Sequence, residues 1–180
     1  MKLLIASDIH GDFDCAKALV EHYKWSRAER LVLLGDLLYH GPRNDLPMGY
    51  APKKVIELLN SVKNDILCVR GNCEAEVDQM VLEFPVLAEY AFLEANGKRL
   101  YLTHGHKNGF DNPPPLRAGD VLVCGHTHVS AAKAFGNDNL YINPGSVSIP
   151  KENTPKGFIL YDDGVFSFRR LDNGEEYMKI

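Results

Sequence analysis

The chain alternates between short apolar runs and polar, glycine-bearing breaks, and the length and period of each run set the element type. Residues Lys2 to Ser7 carry Leu3-Leu4-Ile5-Ala6, an unbroken apolar stretch of the length of a strand buried on both faces. Asp14 is placed to cap a helix that runs to about Trp25, with Ala18, Leu19 and Tyr23 on its apolar side. Arg30 to Leu34 is a second run, closed by Gly35-Asp36. Ile66 to Arg70 is a third, closed by Gly71-Asn72. Between these two runs lie a loop over residues 37–50, rich in Gly, Pro and Asn, and a helix from about Pro52 to Val62. Proline in its first turn suits a helix start, and Val55, Ile56, Leu58 and Leu59 face inward. This half reads β-α-β-α-β, which predicts a parallel sheet covered by helices.

The second half changes period. Glu89 to Glu94 and Arg99 to Thr103 flank Asn96-Gly97, a strong hairpin signal. Val121 to Cys124 is another buried run. Ala131 to Phe135 and Leu140 to Asn143 flank Gly136-Asn137-Asp138, and Gly157 to Tyr161 and Val165 to Leu171 flank Asp163-Gly164. So much strand cannot fit one doubly wound layer; two packed sheets with helices outside fit better. No repeat or linker interrupts the 180 residues, which predicts a single domain over 1–180.

Composition adds exclusions. The net charge of -4 gives no general attraction to nucleic acid or an anionic membrane, so any affinity for phosphate must be local. No run is long enough to span a bilayer, and the short apolar start does not make a signal segment. Cys15, Cys68, Cys73 and Cys124 are scattered without a CxxC pair, which predicts free thiols in a reducing, cytoplasmic compartment.

The chemistry sits at the strand ends. Asp8-Ile9-His10 follows the first run, Asp36 the second, Asn72 the third, His104 the Arg99–Leu102 run, and His126 and His128 the Val121–Cys124 run. A sheet gathers the carboxyl ends of its parallel strands along one edge, so these residues should converge as oxygen and imidazole ligands. Asp8 and His10, two apart in extended chain, would point the same way. Each fragment alone is weak: D-x-H is common by chance, Asp36 could be an ordinary loop residue and Asn72 a turn residue. Two H-x-H pairs, each closing a buried run beside Gly, are harder to explain as surface histidines. His22, inside the first helix, reads as a bystander. Gly145-Ser146 lacks the G-x-S-x-G elbow of a serine hydrolase.

In order, D-x-H, G-D, G-N, G-H and G-H-x-H resemble the calcineurin-like metallophosphoesterase family, over most of the chain from Asp8 to Asn143-Pro144-Gly145-Ser146. His40-Gly41-Pro42-Arg43-Asn44, Arg70-Gly71-Asn72-Cys73 and Asn143 to Pro150 look like its bacterial YfcE-type phosphodiesterase branch. The resemblance implies a four-layer α-β-β-α sandwich of two mixed sheets. It implies two divalent cations, the first held by Asp8, His10, Asp36 and His128 and the second by Asp36, Asn72, His104 and His126, with Asp36 bridging. It further implies that a hydroxide bridging the two cations attacks the phosphorus of a small phosphodiester. Imidazole, carboxylate and amide oxygen suit Mn²⁺, the family's habit, with Fe²⁺, Zn²⁺, Co²⁺ or Ni²⁺ as alternatives.

Many relatives carry His directly after the Asn of the G-N pair; here that place is Cys73, followed by Glu74. A thiol cannot carry imidazolium's positive charge, so activated diesters with good leaving groups should be the best substrates, unless Cys73 is only a packing residue. Arg43 is a candidate for holding the phosphoryl group, against the alternative that it braces its own loop. His106 is either an outer acid or a structural residue. The alternatives on the same site are a phosphomonoesterase or a cyclic-nucleotide phosphodiesterase. A non-catalytic protein-binding scaffold of this fold is a further alternative, and a homo-oligomer remains open.

Overall fold

The computed structural model describes all 180 residues. Its first sheet runs in the order β11-β10-β9-β1-β2-β3. The strands are β1 (Leu3–Ala6), β2 (Arg30–Leu33), β3 (Ile66–Cys68), β9 (Gly157–Asp162), β10 (Val165–Arg170) and β11 (Glu176–Lys179). β1, β2 and β3 are parallel, and β9, β10 and β11 continue the sheet antiparallel from β1. The second sheet runs β4-β5-β6-β8-β7, built from β4 (Tyr90–Ala95), β5 (Lys98–Thr103), β6 (Val121–Val123), β7 (Ser130–Phe135) and β8 (Asn139–Pro144). β5, β6 and β8 are mutually parallel, and β4 and β7 are antiparallel edges.

Period-two alternation explains the layering. Leu4 and Ala6 of β1, with Leu31 and Leu33 of β2, pack against helices; Leu3, Ile5 and Val32 point the other way, into the core shared with Leu100, Leu102, Val121 and Val123 of the second sheet. Helix α1 (Phe13–Ser26) buries Cys15, Ala16, Leu19, Val20 and Tyr23, a stripe at helical spacing. Its cap is Asp12 rather than Asp14, because the Asp12 carboxylate reaches the Cys15 amide at 3.0 Å; Asp14 lies in the first turn. Helix α2 (Pro52–Asn60) starts at its proline and ends two residues before Val62. A short helix α3 (Glu76–Val81), not foreseen, is tied to the end of α2 where Asn60 donates to the Val81 carbonyl at 2.9 Å.

All three helices thus keep to the first sheet. Over the second sheet the outer layer is the β5–β6 loop, whose Leu116 packs on Tyr101, Leu122, Cys124 and Tyr141, with Phe110 meeting the Tyr141 ring edge-on at 5.1 Å between centroids. The hairpin turns match their sequence: Asn96-Gly97 (φ 51° and 74°) and Asp163-Gly164 (φ 47° and 83°) both sit in the left-handed region that a type I′ turn requires. Cys15, Cys68 and Cys124 are buried free thiols and Cys73 is a half-buried one. No helix is long and apolar enough to cross a membrane.

Candidate metal centre

The parallel strands of both sheets end at one edge, and the ligand-type residues follow them. The convergence does not arise from extended chain, as the two-residue spacing of Asp8 and His10 suggested. Asp8 (φ 58°), His10 (φ 49°), Asp36 (φ 55°), His126 (φ 66°) and His128 (φ 62°) all adopt the left-handed conformation. Each chain turns sharply where its strand ends and folds its side chain over the sheet edge. Such backbone costs a non-glycine residue roughly 1 kcal/mol or more, so the surroundings must hold it. They do: the Asp8 amide donates to Gly35 O at 3.1 Å, His10 to Asp36 O at 2.9 Å, and His126 to the Asp8 carboxylate at 3.0 Å. The glycine of G-H-x-H has a direct reason. A Cβ on Gly125 would lie 2.8 Å from Asp8 Oδ2 and 2.7 Å from Ser7 Cβ, so only glycine lets the second sheet's loop approach the first sheet's ligand.

The cluster is dense and buried. Asp8, His10, Asp36, His104 and His128 are buried, His126 is partly exposed, and Asn72 is exposed at the rim. His128 Nε2 lies 3.2 Å from Asp8 Oδ1 and 3.2 Å from His10 Nε2, and His10 Nε2 is 3.7 Å from Asp36 Oδ2. On the other side, His104 Nε2 lies 3.1 Å from Asn72 Oδ1 and 3.5 Å from Asp36 Oδ2. The His126 ring stands 5.1 Å from that of His104. Asp36 therefore borders both halves, and Asp8-His10-His128 and Asp8-Asp36-His104 each form a group able to hold an ion.

The donor set fits cations. His10, His104 and His128 each donate Nδ1–H to a backbone carbonyl: Tyr39 at 2.7 Å, Leu34 at 2.6 Å and Ile149 at 2.8 Å. In the neutral ring that leaves the Nε2 lone pair; those of His10 and His128 face each other and the carboxylates, and that of His104 faces Asn72 Oδ1 and Asp36 Oδ2. Asp8 Oδ1, wholly buried, has no hydrogen-bond partner. An array of converging lone pairs is repulsive unless positive charge sits among them. The titration behaviour says the same. Burial disfavours the charged His104 ring, yet Asp36 and Asp8 pull its pKa up to about 9. Burial likewise raises the Asp8 carboxyl, but His10, His104 and His128 more than offset it and hold it well below the usual range. His126, desolvated and repelled by His104, falls to about 4, so it offers a free lone pair at neutral pH. Protons on His104 occupy the place that a metal would take.

Other residues brace the candidate ligands, and in sequence they were named only as motif positions, without these roles. Glu74, buried, accepts from the amides of Asp36 at 2.9 Å, Leu37 at 2.7 Å and Gly71 at 2.5 Å, clamping the β2 and β3 loops together. Ser146 and Ser148 both donate to the Asp8 carbonyl, at 2.7 and 2.9 Å. Asn143 donates to Gly125 O at 2.7 Å and so ties β8 to the β6 loop. Glu74 two residues after Asn72 and the Asn143–Pro150 motif stretch were the traces of these contacts in sequence.

Cys73 turns inward on Asp36: its amide and its thiol donate to the two carboxylate oxygens at 2.9 and 3.3 Å. Burial, then the Asp36 charge, push the thiol far above its ordinary pKa, so it remains protonated. Arg43 is exposed and lines the mouth of the narrow cleft, about 40 Å³, that Asp36, Asn72 and the histidines form. His106 stands beside the His104 and His126 rings, with its buried Nδ1 unpartnered. His22 lies away from the cluster and donates to Leu171 O at 2.8 Å, as a bystander should. A roomier groove of 540 Å³ around His22 and Trp25 gathers no comparable ligand set.

Comparison with known proteins decides the family. The sequence model of the Calcineurin-like phosphoesterase superfamily domain matches residues 1–163. The chain belongs to the calcineurin-like phosphoesterase family. It is 49% identical over 173 residues to Phosphodiesterase YfcE of Escherichia coli (strain K12), covering 96% of this chain and 94% of that protein. It superposes on the solved structure of E. coli YfcE, a phosphoesterase, with a TM-score of 0.96 and 47% identity, covering 100% of this chain and 98% of that one. The zinc complex of Vps29 from Entamoeba histolytica shares the fold, with a TM-score of 0.63, 19% identity and coverage of 100% and 98%. A calcineurin-like phosphoesterase is a metal-binding hydrolase, and the clustered Asp and His side chains are where this chain gathers the groups for it.

Proposed function

We propose that the protein is a phosphodiesterase working with two divalent cations, Mn²⁺ foremost. Asp8, His10, Asp36 and His128 would hold one cation and Asp36, Asn72, His104 and His126 the other. The observation that carries this reading is the convergence of buried Nε2 atoms and carboxylate oxygens at 3.2–3.7 Å, with Asp8 Oδ1 left without a hydrogen-bond partner. When bound, the cations lower the pKa of water toward neutrality and neutralise charge on a phosphoryl group. The chain's own residues do the rest. The Nδ1–H bonds of His10, His104 and His128 fix each ring, so Nε2 is the ligating atom. Cys73 orients Asp36 through its amide and thiol. Arg43, at the mouth, supplies a guanidinium to phosphoryl oxygens that project out of the cleft.

No side chain at the cleft is placed as a strong acid. Cys73 holds its proton tightly against Asp36, and His106 is driven toward the neutral form by burial and by His104. Leaving groups must therefore depart as stable anions, which favours activated diesters over alkyl monoesters. The test is metal analysis of the purified protein with a turnover screen over aryl diesters, monoesters and cyclic nucleotides, using Asp36→Ala as the blank. The expected result is stoichiometric divalent metal and Asp36-dependent hydrolysis strongest on aryl diesters. A protein that binds no divalent ion, or that prefers monoesters, overturns the proposal.

A further inference from the structure

A second cavity, of 480 Å³, opens directly off the metal cleft, and the two share a neck made by Arg43, Asn44 and Lys151. The neck is built from both sides. Asn44 is anchored on the β2–α2 loop, donating its side-chain amide to His40 O at 2.8 Å. Lys151 follows β8 on a segment locked to the ligand His128: the Lys151 amide donates to His128 O at 3.0 Å, and His128 Nδ1 donates to Ile149 O two residues earlier. The same short segment thus orients a metal-facing imidazole and places an exposed lysine beside it.

Beyond the neck the character changes. Leu46 and Met48 form one wall and Ile149 and Pro150 another. Leu46 is 60% exposed and the Met48 side chain is fully exposed. A single exposed apolar residue is ordinary, but here apolar groups face each other across a cavity that ends at the catalytic cleft. At the far end Lys156 and Asp12 approach to 4.0 Å and cancel one another. Asp45 adds a further carboxylate to this lining, so positive charge is concentrated at the neck, where a diester's phosphate would sit, and the space past it disfavours a second anion.

We infer that this cavity is the subsite for one organic substituent of the diester, and that it takes an apolar-faced group such as an aryl ring or a nucleobase rather than a second anion. The inference rests on the phosphodiesterase reading of the adjoining cleft. The cavity selects on the character of that one substituent, while the preference for diesters rests on the leaving-group argument above. Lys151 and Arg43 serve the phosphate common to all substrates; Leu46 and Met48 discriminate among substituents.

The test uses diphenyl phosphate and dimethyl phosphate, which differ in apolar bulk whichever substituent enters the cavity. Their binding to the metal-loaded protein is read by calorimetry and by competition against bis(p-nitrophenyl) phosphate turnover. Diphenyl phosphate should bind about tenfold more tightly, a modest value for apolar groups in a partly open pocket. In Leu46→Ser/Met48→Ser, whose positions are exposed and not needed for folding, the ratio should collapse toward unity. Lys151→Ala should weaken both ligands and leave the ratio unchanged. Equal binding of the two in the wild type, or a preference that survives the loop substitutions, overturns the inference. Absence of wild-type turnover with the calorimetric preference intact would instead sink the phosphodiesterase reading and leave the subsite standing.

Discussion

Ser146 shows how much of the site is held by residues that touch no substrate. Its hydroxyl donates to the Asp8 carbonyl at 2.7 Å and accepts from the amides of Ser148 at 3.1 Å and Ile149 at 2.9 Å. It therefore steadies both the left-handed turn at Asp8 and the segment that carries the Ile149 carbonyl to His128. Ser146→Ala leaves the buried Ser148 amide and the part-buried Ile149 amide without this acceptor and should cost about 2 kcal/mol in urea unfolding. It should also weaken metal binding by roughly tenfold, as loss of a supporting hydrogen bond to a ligand does. A variant with wild-type stability and metal affinity would mean the hydroxyl is idle. Glu74 carries more. Its carboxylate serves three amides on two loops, and a glutamine of the same shape would present an NH₂ where one of them donates. Glu74→Gln should lower stability by about 2–3 kcal/mol, since hydrogen bonds to a charged acceptor exceed neutral ones. Urea titration of the metal-free protein checks it, and no change would show that water can replace the clamp. The structure brings the candidate ligands to one edge, and they were legible in sequence as polar residues that close apolar runs. Their left-handed backbone was not, because Asp and His tolerate that region without advertising it.

At the scale of elements, legibility followed burial. β1, β2, β6 and β9 are buried on most positions and read as unbroken apolar runs. Helix α3 has no buried residue and β11 is only partly buried, so neither leaves a periodic stripe to detect. The α1 start was misplaced by two residues because Asp12 and Asp14 are equally good caps in sequence, and only the reach of Asp12 to Cys15 separates them. The second sheet shows a link that sequence could not show at all. Asp120, before β6, pairs with Arg99 on β5 and accepts from the Arg117 amide at 2.7 Å, pinning the end of the long loop that covers this sheet. Chiefly through Arg99, its pKa lies below the ordinary 3.8. A depressed folded-state carboxyl contributes stability that is fully present above the unfolded value and is lost as pH falls through the folded one. Asp120→Asn should therefore be less stable than wild type at pH 7, and the gap should close as the pH is taken below 3.8. Denaturant midpoints at the two pH values measure this. A gap that persists in acid would assign the effect to packing rather than to the charge.

Across the whole molecule, the candidate ligands divide between the sheets. Asp8, His10, Asp36 and Asn72 follow strands of the first, and His104, His126 and His128 follow strands of the second. Bound cations would therefore bridge the two layers at the edge where the hydrophobic interface between them ends. The site carries five left-handed non-glycine residues and a set of facing lone pairs, both of which work against the fold. Unfolded chain has no comparable cage, so metal binding should appear directly as folding stability. At free Mn²⁺ a hundredfold above the dissociation constant, one site contributes about 2.7 kcal/mol. For a chain of this size that corresponds to a rise of roughly 5–10 °C in Tm. Wild-type protein stripped with a chelator and then given Mn²⁺ should recover that difference. Asp36→Ala should show little response, because it loses the carboxylate bordering both halves of the cluster. A melting temperature that ignores Mn²⁺ in the wild type would mean that the converging groups do not hold an ion. The hydrogen-bonded scaffold of Glu74, Ser146 and Ser148 would then need another explanation for the strain it maintains.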